Sequence, residues 1–128
     1  MLRIKLIWKI LNKKGDSPMD RDIRLVQGNT LAFKVIFSGM EEGSEVTGAY
    51  FTVKKKVTDT EAELQLTLGN GITQIEDTTT YVVSASSTLT AELTPGNYYY
   101  DCTFVIDTTV TTLLKGILII DPRITVIT

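Results

Sequence analysis

Apolar and polar residues alternate along much of this chain, and the alternation is clearest between residues 97 and 120. In the first part of this stretch, one face of a strand would carry Tyr98, Tyr100, Cys102, Phe104 and Ile106. A polar break at residues 107–109 separates this run from a second one at 110–120. Because successive side chains of a strand point to opposite faces, the pattern predicts two strands joined by a tight turn, with the five named residues buried.

The residues before the first of these strands predict a structural corner. Its members are Leu93, Pro95, Gly96 and Tyr98, in the order Leu-x-Pro-Gly-x-Tyr. Proline fixes φ and glycine relaxes it, as is needed where a chain passes from one sheet to another. The spacing resembles the tyrosine corner of β-sandwich folds, in which a Tyr hydroxyl bonds to nearby backbone and holds the crossover.

Short alternating runs recur from residue 22 onward. They predict strands at 23–27, 31–38, 49–56, 64–68, 72–76 and 80–84, and one helical turn within 86–93. Polar and glycine-containing turns separate them, and no long amphipathic helix pattern occurs in this part of the sequence. The predicted fold is therefore all-β, an antiparallel β-sandwich with Greek-key connections.

Gly116 lies inside the last predicted strand. An interior glycine marks a β-bulge or a close approach of another backbone segment. A bulge is the preferred interpretation over a ligand contact.

The first fourteen residues, MLRIKLIWKILNKK, form a basic and apolar segment of their own. As a helix, the segment would carry an apolar stripe of Ile4, Ile7, Trp8 and Leu11. As a strand, its apolar face is Leu2, Ile4, Leu6, Trp8 and Ile10. The β-branched and aromatic residues on the alternating face favour the strand. The predicted organisation is an N-terminal strand and polar linker over residues 1–20, followed by a sandwich domain over 21–128.

An apolar strand on a polar linker would expose a surface that soluble monomers avoid. It can pack as an edge strand on its own domain, or it can add to the sheet of a neighbouring subunit through main-chain hydrogen bonds. Both alternatives stay open from the sequence. The candidate subunit contact consists of Leu2, Ile4, Leu6, Trp8 and Ile10.

Composition argues against most enzyme chemistry. The chain of 128 residues contains no histidine, which removes the commonest general base and the commonest metal ligand. Its single cysteine, Cys102, is expected to be a buried structural thiol, and no phosphate-binding loop or nucleophile elbow is present. We expect no enzyme activity and no catalytic, cofactor-binding or metal-binding residues.

Charge and targeting signals narrow the partners and the location. A net charge of −2 gives no electrostatic reason to expect nucleic acid binding. Lys5 and Lys9 interrupt the apolar N-terminal segment, so we expect neither a signal peptide nor a membrane span. The absence of a disulfide framework is typical of proteins that fold in a reducing cytosol.

Three other features of the sequence have ordinary structural explanations. The acidic clusters fall at predicted turns, and the run Lys54-Lys55-Lys56 suits the end of an exposed strand. The three consecutive tyrosines at 98–100 suggest carbohydrate stacking, but alternation places only Tyr99 on the outer face. A glycan is therefore a possible partner without support, unless an aromatic platform is exposed around Tyr50, Tyr81 or Tyr99.

Over residues 22–125 the chain resembles small immunoglobulin-like proteins and domains in the tails and baseplates of tailed bacteriophages and prophages. The stretches that carry the resemblance are IRLVQGNTLAFKVIF, GAYFTVKKK, GIT at 71–73, LTPGNYYYD and TTLLKGILII. Asn29 departs from the pattern, where aspartate is expected.

The resemblance implies an immunoglobulin-like β-sandwich with no catalytic residues and no cofactor. It implies a virion structural protein, a tail or baseplate component, that is synthesised in the bacterial cytoplasm and resides in the virion. The expected partners are other phage structural proteins and further copies of the chain in a homo-oligomer. The alternative is a host-surface or carbohydrate-binding immunoglobulin-like module.

Overall fold

The computed structural model describes residues 2–9, 18–38, 40 and 42–126. The strands and the short helix in these residues are β1 (Leu2–Lys9), β2 (Met19–Asp20), β3 (Ile23–Val26), β4 (Leu31–Ser38), β5 (Val46–Lys54), β6 (Leu64–Leu68), β7 (Gly71–Gln74), β8 (Thr80–Ala85), α1 (Ser87–Ala91), β9 (Gly96–Ile106) and β10 (Thr109–Asp121).

The strands form one curled sheet that folds into two packed layers. Their order is β1-β4-β8-β7-β6-β5-β9-β10-β2, and β3 also pairs with β10. The junction between β6 and β7 has two register pairs, Thr67 with Gly71 and Leu68 with Ile72. We call β1, β4, β8 and β7 the first layer, and β6, β5, β9, β10, β2 and β3 the second. The chain crosses repeatedly between the layers, at β1–β2, β3–β4, β4–β5, β6–β7 and β8–β9. The predicted all-β, immunoglobulin-like sandwich is therefore confirmed.

Pairing inside the sandwich is mainly antiparallel, and the exceptions in the described residues are the short junction of β6 with β7 and the pairs made by the N-terminal strands. β1 runs parallel to β4, and both β2 and β3 run parallel to β10. The N-terminal part of the chain thus adds to both layers, β1 to the first and β2 and β3 to the second. Alternation in a sequence fixes the two faces of a strand but neither its direction nor its neighbour, which is why these parallel pairs were not predicted.

Aromatic side chains join the two layers. Phe33 of β4 lies edge-on to Phe51 of β5, with ring centroids 5.7 Å apart. Phe104 of β9 lies 5.1 Å from Phe37 and 5.4 Å from Tyr81, again in edge-to-face geometry. Such contacts add to the free energy gained by burying apolar area. The predicted buried face of β9 is confirmed, since its members are all buried: Tyr98, Tyr100, Cys102, Phe104 and Ile106.

Gly116 does not lie at a bulge. The register between β9 and β10 shifts between Thr112 and Leu114, whereas Gly116 is paired normally with Tyr100. Its role is the close approach of another backbone segment, because a Cβ at this position would overlap the Arg21 carbonyl oxygen and lie 2.7 Å from its carbon. The preferred interpretation of Gly116 as a bulge was therefore wrong, and the segment between β2 and β3 explains the glycine.

Candidate functional site

The N-terminal segment is a strand at one end of the sheet. β1 pairs with β4 of the same chain over eight consecutive register positions. The register sets four of the predicted contact residues, Leu2, Ile4, Leu6 and Trp8, beside residues of β4: Leu31, Phe33, Val35 and Phe37. The fifth, Ile10, lies outside the described residues.

The edge of β4 that receives β1 belongs to the central part of the core. Leu31, Phe33, Val35 and Phe37 on this strand are almost fully buried, and the other edge of β4 pairs with β8. Without β1, the main chain of β4 would present unpaired N–H and C=O groups along its outer edge. Such an edge is a ready template for a strand from the same chain or from another.

The corner before β9 is held by a local hydrogen bond. The Tyr98 hydroxyl donates to the Thr94 carbonyl oxygen at 2.7 Å. The Thr94 hydroxyl lies 3.0 Å from the Tyr98 hydroxyl. Leu93 is buried beneath the corner, and Gly96 has a φ of 144°, which side-chain-bearing residues rarely adopt. Lys55 Nζ lies 4.6 Å from the centroid of the Tyr98 ring, a cation–π distance. These contacts hold the crossover in place.

Tyr98→Phe is expected to lower the free energy of unfolding by about 1 kcal/mol, because it removes the hydroxyl bond to Thr94 and keeps the buried ring. The measurement is urea unfolding followed by circular dichroism. Tyr99→Phe is the matched control, since Tyr99 is 49% exposed on the opposite face of the same strand, and it should change stability by less than about 0.5 kcal/mol. Equal effects of the two substitutions would contradict a structural role for the Tyr98 hydroxyl.

A concave cleft of about 960 Å³ lies on the outer face of the second layer. Tyr99 is exposed in the cleft, and Tyr50 is exposed on the same sheet face beyond its lining. Tyr81, the third tyrosine of the possible aromatic platform, is instead buried in the core against Phe37 and Phe104. The alternation of Tyr81 with Val83 and Ala85 was a signal for this burial, because all three are buried on β8.

Polar residues of the cleft come from positions that alternate with core residues. Gln65 Nε2 donates to Thr52 Oγ1 at 3.1 Å, which links β6 to β5. Asp22 Oδ1 accepts a hydrogen bond from the Ile117 amide at 3.1 Å. Asp101 of β9 also lines the cleft. No sequence motif marks Thr52, Gln65 or Asp101 as site residues, although each lies between two buried residues on its strand.

Opposite charges are nearly balanced among the described residues that line the cleft. Its lining contains the carboxylates of Asp20, Asp22 and Asp101 and the ammonium groups of Lys54 and Lys115. Lys115 Nζ lies 3.8 Å from Asp20 Oδ1, and both side chains are more than half exposed. An exposed pair of this kind contributes little to stability, so these charges remain available to a ligand.

Among the described residues, burial raises the pKa of three groups: Tyr81, Tyr100 and Cys102. Burial raises the pKa of the Cys102 thiol to about 12, and the nearby Asp101 carboxylate adds to the effect. Burial also raises the pKa of Tyr100, whose hydroxyl donates to the Arg21 carbonyl oxygen. Cys102 is fully buried, as expected, and remains a protonated thiol at neutral pH, so it is unsuited to nucleophilic chemistry.

Within the described part of the chain, no group of three or more Asp, Glu, Cys or His side chains is placed to hold a metal ion. None of the helices in the same residues has the length and apolar composition to cross a bilayer.

No model of a known protein family matches this chain, and no curated protein sequence matches it. Solved structures with a similar fold include the NK cell receptor NKp44, at 14% identity and a TM-score of 0.48, over 80% of this chain and 99% of that one. The N-terminal domain of phage TP901-1 ORF48 is 12% identical with a TM-score of 0.48, over 94% of this chain and 99% of that domain. The extracellular domain of the voltage-gated sodium channel beta4 subunit is 12% identical with a TM-score of 0.40, over 88% of this chain and 99% of that domain. At these identities and scores, no function is transferred from any of them to this chain.

Proposed function

We propose that this chain is a non-enzymatic structural protein of a phage or prophage virion, a tail or baseplate component that acts through subunit assembly. The resemblance of its sandwich sequence to such proteins supports the virion role. The observation that carries the assembly role is the pairing of β1 with the edge of β4. In this proposal, β1 of one copy pairs with β4 of the next copy in the assembled state.

The pairing between β1 and β4 can be transferred between copies. It is a parallel ladder along eight register positions, so its main-chain hydrogen bonds do not depend on which copy donates the strand. Exchange of an identical element between protomers has a low free-energy cost, because β1 pairs with the β4 of another copy just as it pairs with its own. The monomer and the assembly therefore share one interface, and concentration decides between them.

The connection after β1 is long enough for such an exchange. Residues 10–18 join β1 to β2 and include three charged side chains, a glycine and a proline. Nine residues can span about 30 Å when extended, which exceeds the distance between neighbouring strands several-fold. A strand on this connection can reach the sheet edge of a neighbouring subunit.

The proposal predicts covalent oligomers when β1 and β4 are linked by a disulfide. Lys5 and Lys34 are register partners, and neighbouring strands hold such partners within reach of a disulfide. The double variant Lys5→Cys, Lys34→Cys should be oxidised at a concentration where light scattering shows a discrete oligomer. Denaturing gels without reductant should then show dimers or larger covalent species. Cys102 can stay in place, because its thiol is buried.

A matched control pairs Lys5→Cys with Lys56→Cys, since Lys56 is exposed beyond the end of β5 and is not a register partner of Lys5. This control should give no comparable product. Covalent monomer as the sole product of the first variant would show that β1 stays on its own chain. A monomer by light scattering at every concentration would equally overturn assembly through this strand.

A further inference from the structure

We propose that the cleft on the outer face of the second layer is a binding site for a neutral oligosaccharide. This site lies on the layer opposite to β1 and β4, so it is independent of the assembly role. Two observations carry the proposal: an exposed aromatic ring in a concave surface with polar side chains around it, and charges that nearly cancel among the described lining residues.

Tyr99 supplies the apolar surface that a sugar ring needs. It is 49% exposed, lines the cleft and lies in register with Lys54 on β5 and Ile117 on β10. A pyranose has one or two faces of C–H groups, which pack against the electron-rich face of an aromatic ring. Tyrosine has only two side-chain torsions, so it loses little conformational entropy when it is covered.

The polar groups around Tyr99 match hydroxyls that both donate and accept. Asp101 offers acceptor oxygens, Lys54 offers donors, and the amide of Gln65 offers both. The bond from Gln65 to Thr52 holds that amide in place before any ligand arrives. A preorganised side chain binds with a smaller entropic cost than a free one.

Charge selects a neutral ligand over an ionic one. Among the lining residues that the structure describes, three carboxylates face two ammonium groups, so neither a polyanion nor a polycation gains a large electrostatic attraction from them. The lining also carries charged side chains of both signs, whereas charged residues are depleted at the centre of a protein interface. The volume of about 960 Å³ lies near the upper end of the range for small-molecule sites, which is roughly 300–1,000 Å³.

The test is a titration of the ¹⁵N-labelled full chain, followed by NMR, with maltotetraose, cellotetraose and tetra-N-acetylchitotetraose as neutral probes. Tetragalacturonate is the anionic comparison. At least one neutral probe should cause saturable shift changes at Thr52, Tyr99 and Lys115, and tetragalacturonate should bind more weakly. No saturable change with any neutral probe would overturn the proposal, as would tighter binding of tetragalacturonate.

Variants assign the binding to the cleft. Tyr99→Ala should lower the affinity for the best-binding neutral probe about tenfold, which is the effect expected when one aromatic contact is lost. Tyr99→Phe keeps the ring, so its affinity for the probe should stay within about threefold of that of the unchanged chain. This corresponds to a difference in binding free energy of less than about 1 kcal/mol. Tyr50→Ala removes an exposed tyrosine of the same layer outside the cleft and should bind normally.

Two results with the variants would overturn the proposal. One is an equal loss in Tyr50→Ala and Tyr99→Ala, which would show that general exposure of tyrosine explains the binding. The other is a set of shifts at these residues that depend on protein concentration without sugar, which would identify the face as a contact between copies.

Discussion

Phe104→Ala is expected to lower the free energy of unfolding by about 3–5 kcal/mol, the largest effect of any single substitution that we predict. Phe104 is fully buried, and its ring makes edge-to-face contacts with Phe37 and Tyr81 from the opposite layer. Truncation removes these contacts and leaves a cavity where the two layers meet. The loss is a large part of the 5–15 kcal/mol that keeps a typical domain folded.

Urea unfolding of Phe104→Ala, followed by circular dichroism, measures this loss. Val110→Ala is the matched control, because Val110 lies on β10, the other strand of the same hairpin, and is 68% exposed. It should change the free energy of unfolding by less than about 0.5 kcal/mol. A loss of less than about 1 kcal/mol in Phe104→Ala would contradict the central position of this ring in the core.

The buried face of β9 could be predicted from the sequence because alternation acts locally. Residues two positions apart share a face, so the burial of every second residue from Tyr98 to Ile106 can be predicted without knowledge of any partner strand. The same pattern would have identified Tyr81 as a core residue, since Val83 and Ala85 continue its face. Where a segment alternates strongly, the sequence contains enough information to assign each side chain to the inside or the outside.

Partners and directions of strands are not encoded in the same way. β3 pairs with β10, about a hundred positions along the chain, and β1 finds its parallel place beside β4. Such long-range pairing depends on which edges the rest of the fold leaves open, and no local pattern records this. The N-terminal segment could therefore be predicted as a strand but not assigned to a sheet edge.

The cleft shows the same limit for a candidate site. Its residues Thr52, Gln65, Tyr99 and Lys115 come from four strands that become neighbours only in the folded sheet. The sequence identified Tyr99 as an outer-face residue from its position between Tyr98 and Tyr100. It could not show that three other outer-face positions converge around it.

Hydrogen bonds between segments that are distant in the sequence could not be predicted either. The turn after β3 is tied to the C-terminal region, since Arg123 donates to the carbonyl of Gln27 at 2.8 Å and to the side chain of Asn29. The carbonyl of Asn29 accepts from the buried hydroxyl of Thr90 at 2.7 Å. Asn29, which stands where the sequence resemblance led us to expect aspartate, thus belongs to a hydrogen-bond network that only the fold assembles.

Gly116→Ala is expected to lower the free energy of unfolding by about 3 kcal/mol, although it adds only one methyl group. The added Cβ would overlap the Arg21 carbonyl oxygen and lie 2.7 Å from its carbon. The Arg21 backbone cannot easily withdraw, because its N–H donates to Lys115 O at 2.9 Å and its carbonyl accepts from the Tyr100 hydroxyl. Contact with backbone, unlike contact with a flexible side chain, leaves no rotamer that relieves it.

Two measurements separate this mechanism from a general loss of packing. Urea unfolding gives the total effect, and hydrogen exchange of the Arg21 amide should accelerate more than that of amides in β4. Gly48→Ala is the matched control, because Gly48 is a buried strand glycine whose added Cβ would meet Tyr50 and Val105 at an ordinary 3.4 Å. It should change stability by less than about 1 kcal/mol. If Gly116→Ala were as well tolerated as Gly48→Ala, the packing of β2 and β3 against β10 would not require a glycine at position 116. The close approach of Arg21 would then not explain why this strand contains a glycine.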